Sequence, residues 1–260
     1  MPRGDETMMT DGIDPASTER SVQSLRTADL TSGELEASLR AVVEATKTIF
    51  GADGAGVMLL DDQQALHYVG ATGGRAAALE AAQEETGEGP CVDSLMHDTI
   101  VHTDDLLADL RWPLLQSQIG DLGIRAILGV PLHLGLSAVG SLNVYRHRPW
   151  QWHASDLQAI DAHGKVLEEL LGSAMLAQRR STIVDQLNSA LSNRVTIERA
   201  IGIVIGQTGL DPVKAFNELR QLARSRRIRV AELADEVVAA RRFPVLPPTS
   251  AVPATGVVQT

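Results

Sequence analysis

The residues best suited to chemistry are arginines, and they crowd towards the C-terminus. Arg220, Arg224 and Arg227 recur at i, i+4 and i+7, Arg226 stands among them, and Arg194 and Arg199 lie upstream. A guanidinium is a permanent cation with a planar fork of N–H donors, so the chemistry it does best is pairing with anions, phosphate above all. From Ala190 to Arg242 there are ten Lys or Arg against six Asp or Glu, so this segment stands at +4 in a chain whose net charge is −10. A compact basic module on an acidic protein has the footprint of a polyanion-binding surface, where phosphate neutralisation and counterion release supply much of the affinity. A merely solvated basic face has the same composition, and charge alone leaves both interpretations open.

Other chemistries have less to work with. The single cysteine, Cys91, excludes an internal disulfide and any multi-thiolate metal site, and its expected role is that of a small buried hydrophobe. Seven histidines, His67, His97, His102, His133, His147, His153 and His163, form no i, i+4 pair and no His-Glu-x-x-His run, so no metal site is expected. GxxxxGK[ST], GxGxxG and GxSxG are all missing, which removes the usual phosphate loops and the nucleophile elbow. No catalytic residue is assigned and no cofactor is evident.

The elements that must hold the arginines read as three short helices. Ile197, Ile201, Val204 and Ile205 make an apolar stripe, and Gly209 ends that helix. Asp211 is placed to cap the next helix and Pro212 to occupy its first position. Phe216, Leu219 and Ala223 give the second helix an apolar face, and Val230, Leu233, Ala234 and Val237 give the third one. Three inward stripes make a small bundle.

The run SNRVTIERAIGIVIGQTGLDPVKAFNELRQLA followed by RVAELADEVV resembles the ANTAR domain, an RNA-binding three-helix module of bacterial antiterminators. Arg194, Ile197, Arg199, Ala200, Gly202, Ala215, Phe216, Leu219, Arg220, Ala223, Leu233 and Ala234 carry the likeness. It implies that Arg194, Arg199, Arg220, Arg224, Arg226 and Arg227 contact RNA phosphates while Ala200 and Gly202 allow close approach. The family usually has a lysine between that alanine and glycine, and Ile201 stands there instead; Ile205 occupies a position where methionine is common. The implied partner is a pair of hairpins in a nascent leader transcript, and two hairpins suit a homodimer.

Residues 1–30 are polar and lack sustained periodicity, which predicts a disordered lead. Leu35, Leu39, Val42, Val43, Ile49 and Phe50 predict an amphipathic helix stopping at Gly51. Strands are expected at 54–60, 65–70, 99–103, 125–134 and 139–146, the last two paired across a turn at Gly135 to Ala138. Helices are expected at 74–85, 91–97 and 152–171, giving an α+β fold for 31–171. The phrases EGPCVDSLMHDTIVHTDDL, RWP and GIRAILGVPLHLGLSAVGSLNVYRHRP resemble the GAF domain, a small-ligand sensor, especially members that precede an ANTAR domain in actinobacterial-type regulators. That resemblance implies a pocket against one sheet face. Tyr68, Arg125 and Asn143 are the candidate ligand contacts, Asn143 sharing a strand face with Ser141 and Tyr145.

Residues 172–190 read as an uninterrupted helical connector, either pairing with its twin in a dimer or folding back on its own sensor. The bundle takes 191–242, and the Pro- and Thr-rich tail 243–260 is expected to be disordered. No apolar run is long enough to span a membrane and no signal core leads the chain, so a cytoplasmic location is expected. Two other functions fit parts of the pattern. A helix-turn-helix DNA-binding regulator also has three small helices, and a GAF-based enzyme could use the bundle for dimerisation.

Overall fold

The computed structural model describes residues 12–28, 34–61, 64–177 and 181–244. Its centre is a five-stranded antiparallel sheet of β1 (Gly54–Leu60), β2 (Leu66–Ala71), β3 (Val101–Thr103), β4 (Ala126–Leu134) and β5 (Ser137–Arg146), in the order β2-β1-β5-β4-β3. Gly135, at φ 65, lets β4 turn back into β5. Their register pairs Leu128 with Val144, Gly129 with Asn143 and Val130 with Leu142. Because side chains alternate along a strand, this register puts Leu128, Val130, Leu142 and Val144 on one face and Gly129, Ser141 and Asn143 on the other.

The apolar face is covered by α2 (Leu35–Phe50) and α6 (Ala154–Leu176), whose Leu39, Val42, Ile160 and Leu167 are fully or almost fully buried in the main core. The second face is roofed by α3 (Gly74–Thr86) and α4 (Pro90–His97), with α5 (Pro113–Ile119) beside them. The α5 helix was not expected; Pro113 sits at its first position, a start signal hidden in a loop-like run.

The N-terminal lead corrects the expectation of disorder. Residues Pro15–Thr27 form a helix, α1, and its Val22 and Leu25 are buried in the main core. Asp14 caps it by accepting from the amides of Ala16 and Ser17, and Pro15 follows at the first helical position. This is the same Asp-Pro start that opens the helix at 212, obscured here by a polar exterior. Residues 1–11, 29–33 and 245–260, which include most of the predicted tail, lie outside the described residues.

The predicted connector is corrected too. Helix α6 ends at Leu176, and α7 (Thr182–Thr208) begins anew after Ser181, whose hydroxyl accepts from the Ile183 amide at 3.2 Å. Ser181 has extended backbone, so the helix cannot run through it. Ile183, Val184 and Leu187 then join the sensor's core, so the first half of α7 folds back on its own domain.

The second half of α7 meets α8 (Pro212–Arg226) and α9 (Val230–Ala240) in a small bundle. Gly209 closes α7 at φ 70. Asp211 then caps α8 by accepting from the Lys214 amide at 2.9 Å. The bundle core contains Ile197, Val204, Phe216, Leu219, Ala223, Leu233, Ala234 and Val237, as the three stripes predicted. Phe243, placed in the tail by sequence, is buried there as well.

Candidate functional site

Two sites emerge, a buried polar cluster in the sensor and a basic exterior on the bundle. The cluster is centred on Glu80 of α3, which is buried against the polar face of the sheet. One carboxylate oxygen accepts from Gln83 Nε2 at 3.0 Å and from Cys91 Sγ at 3.2 Å, and the other accepts from Asn143 Nδ2 at 3.2 Å. Gln83 Oε1 in turn accepts from the Cys91 amide at 3.0 Å, and Asn143 Oδ1 accepts from Ser141 Oγ at 2.7 Å. The strands make room by lacking side chains: a Cβ on Gly56 would stand 2.7 Å from Glu80, and one on Gly129 2.7 Å from Asn143.

Burial pushes the Glu80 carboxyl up to about 7, although the hydrogen bonds from Cys91, Asn143 and Gln83 pull the other way. It therefore changes charge near neutral pH. Burial and the adjacent Glu80 charge push the Cys91 thiol well above its ordinary range, so it stays protonated and donates a hydrogen bond. A protonated thiol with no second cysteine in the chain is unsuited to disulfide redox chemistry. Cys91 is nevertheless more than apolar filler, because it ties α4 to the cluster.

Of the three candidate ligand contacts, the structure places only Asn143 in this cluster. Tyr68 shares a cross-strand row with Met58 and Ser141, but it lies on the edge strand and is 44% exposed. Arg125 is occupied elsewhere, in a two-pronged ion pair with Asp105 at 2.7 and 2.5 Å. Glu80 and Gln83 were missed, and Ser141 was placed on Asn143's face without being made a contact. The available signal was Glu80 and Gln83 at i, i+3 on a helix otherwise rich in alanine.

The bundle separates its predicted RNA contacts into two groups. Arg199, Arg224, Arg226 and Arg227 are exposed, and of these Arg226 pairs with Glu236 at 3.1 Å. Arg227 ends α8 in the left-handed region at φ 57, so its side chain leaves from the turn rather than from a helical face. Gly202 is exposed, and a Cβ added there would meet nothing within 4 Å; the same holds for Gly206 one turn later. Packing thus gives no reason for two glycines inside a helix, each of which costs roughly 0.5–1 kcal/mol relative to alanine. With Val195 and Arg199 they form one outward strip at i, i+4, i+7 and i+11.

The other group faces inward. Ala200 is fully buried in the bundle core, which corrects its placement as an RNA-facing small residue. Arg220 is 8% exposed, stands 5.7 Å over the Phe216 ring and keeps a buried Nη2 without a hydrogen-bond partner. Arg194 donates Nε to Glu198 at 2.6 Å and Nη1 to the Ala138 carbonyl of β5. Ile201, which stands in the lysine's place, is half-buried and lines a cavity between the domains.

Comparison with known families decides what these sites belong to. The GAF domain model matches residues 34–171 and the ANTAR domain model matches residues 185–238. The chain belongs to the GAF domain family. Behind its GAF domain it carries an ANTAR domain, an RNA-binding antitermination module, and the ANTAR match begins inside the first half of α7. The GAF domain of an Acinetobacter phosphoenolpyruvate-protein phosphotransferase is 17% identical, with TM-score 0.51, covering 64% of this chain and 96% of that one. The corresponding domain from Coxiella burnetii is 15% identical, with TM-score 0.50, covering 63% and 95%. A free methionine-R-sulfoxide reductase from Neisseria meningitidis, solved with its substrate, is 17% identical with TM-score 0.49 over 62% and 89%. Identities this low carry the fold alone. A comparison with curated proteins finds no match. Among the described residues no helix is long and apolar enough to cross a membrane.

Proposed function

We propose that the protein is a cytoplasmic antitermination regulator whose ANTAR bundle holds a pair of hairpins in a nascent transcript while its GAF domain senses a small molecule. Holding the hairpins prevents a competing terminator from forming, and polymerase reads through. The observation that carries this reading is the exposed strip of Arg199, Gly202 and Gly206 on α7, in a bundle that also exposes Arg224 and Arg227 at the end of α8. Cations supply phosphate contacts, and glycines that packing does not require allow a backbone to come close.

The sensor's ligand would bind over the Glu80, Gln83 and Asn143 cluster, whose donors and acceptors are held in place between α3 and β5. Two copies of the chain, one per hairpin, would make the active form a homodimer. The architecture favours a regulator over an enzyme, and the protonated Cys91 offers no nucleophile at neutral pH. A gel-shift comparison of tandem RNA hairpins with duplex DNA at matched salt tests the reading. Preference for the hairpins supports it, and preference for the duplex transfers the protein to the DNA-binding class.

A further inference from the structure

We propose that the structure is a closed state in which the GAF domain withholds Arg194 and Arg220 from RNA, and that separating the bundle from α4 and from the start of β5 delivers them. This rests on RNA being the bundle's partner. Both arginines carry the ANTAR likeness, yet both point into the seam between the domains. Arg194 is held by the Ala138 carbonyl of the sheet, and Arg220 is buried within range of the sensor's Asp61 and Glu84 charges.

The seam is held by a few identifiable contacts. Asn217 of α8 donates Nδ2 to the Gly87 carbonyl between α3 and α4 at 3.1 Å. Gln64 of the sensor donates Nε2 to the Ala190 carbonyl of α7 at 2.8 Å. Met96 of α4 packs against both the bundle core and the small cluster of Leu60, Cys91 and Leu95.

The seam is also imperfect. It leaves a half-open cavity of about 190 Å³ bordered by Leu95, Met96, Ile201 and Phe216, and it buries the Arg220 guanidinium with Nη2 unsatisfied. A permanent interface gains by filling such a void and pairing such a charge, whereas an interface that must open tolerates both. RNA phosphate offers Arg220 the partner that the closed seam lacks, so the open state is the one RNA favours. Helix α4 links this seam to the sensor's interior, since Cys91 at its start bonds to Glu80 and Met96 near its end touches the bundle. A ligand that displaces α4 from the Glu80 cluster therefore loosens α8.

The test uses the full chain and two variants that leave every candidate RNA contact in place, Met96→Asp and the milder Asn217→Ala. Hydrogen exchange without RNA reads the seam itself, and affinity for a tandem-hairpin RNA reads the consequence. If one molecule in ten is open, apparent affinity is reduced tenfold, so opening the seam recovers up to about that factor. The expected result is faster exchange in α8 and the Gly87 turn of both variants, with hairpin affinity raised about tenfold in Met96→Asp and less in Asn217→Ala. Unchanged exchange in both variants overturns the closed state. Faster exchange with unchanged hairpin affinity overturns the withholding of the arginines. Faster exchange in proteins that bind no hairpin at all supports the clamp and overturns the RNA reading instead.

Discussion

Replacing Glu80 with glutamine removes a charge from the sensor's interior while keeping its shape, and the consequence depends on pH in a calculable way. Unfolded, the carboxyl titrates near 4.5; folded, it titrates at about 7, because burial disfavours the charged form. Between those values the folded state binds more protons than the unfolded one, so stability falls as pH rises through the window. A shift of this size corresponds to ~3 kcal/mol between the low and high ends of the window, at 1.36 kcal/mol per pH unit. Glu80→Gln keeps the neutral form at every pH. The variant and the parent should therefore match near pH 4.5, and the variant should gain steadily until about pH 7. Urea unfolding followed by tryptophan fluorescence isolates the relevant domain, since Trp112, Trp150 and Trp152 all lie in the sensor. Other groups titrate in both proteins, so the difference between the two stability curves is the quantity to read. A flat difference from pH 5 to pH 8 would mean that Glu80 is ionised throughout, and that burial does not raise its pKa.

Gly202→Ala should stabilise the bundle by roughly 0.5–1 kcal/mol, since the added methyl meets nothing, and should weaken hairpin binding if the strip lies against RNA; thermal melts and gel shifts read the two effects separately. Asp211→Ala removes the cap of α8 and should cost about 1 kcal/mol, seen as an earlier thermal transition of the bundle. His133 feels opposed influences, burial lowering its pKa while Asp98 and Glu168, at 2.6 and 3.0 Å, raise it on balance. The stabilisation it gives is complete below its unfolded value of 6.5 and is lost as pH rises through the folded value. His133→Asn should therefore destabilise the sensor most at acidic pH, and the gap from the parent should narrow as pH rises, in the same urea assay.

The sheet was legible because its strands announce themselves by period and punctuation. The observed β1 spans the predicted 54–60, and the β4–β5 hairpin turns at Gly135 as expected. The bundle was legible for a different reason: Gly209, Asp211 and Pro212 combine a stop, a cap and a start within four residues. Helix α1 carried the same Asp-Pro signal but escaped notice, because only Val22 and Leu25 of its face are buried and its remaining exterior is polar. The break at Ser181 escaped for the opposite reason, since apolar residues recur on both sides of it. The site was harder to read. Asn143 could be placed on the right strand face by alternation, but Glu80 and Gln83 reach it from another helix, and local sequence contains no term for that meeting. Arg220 shows the same limit: its helical spacing with Arg224 is real, while the Asp61 and Glu84 charges that reach it belong to a domain far earlier in the chain.

If the exposed arginines of the bundle contact RNA phosphates, salt dependence measures that contact directly. Hairpin affinity should be determined across a range of salt concentrations for the full chain and for Arg199→Ala plus Arg224→Ala, neither of which pairs with a carboxylate among the described residues. Affinity should fall steeply with salt, with a slope shallower by about 1 for each arginine removed. An identical slope in both proteins, or no hairpin binding at low ionic strength even in the Met96→Asp variant, would contradict it.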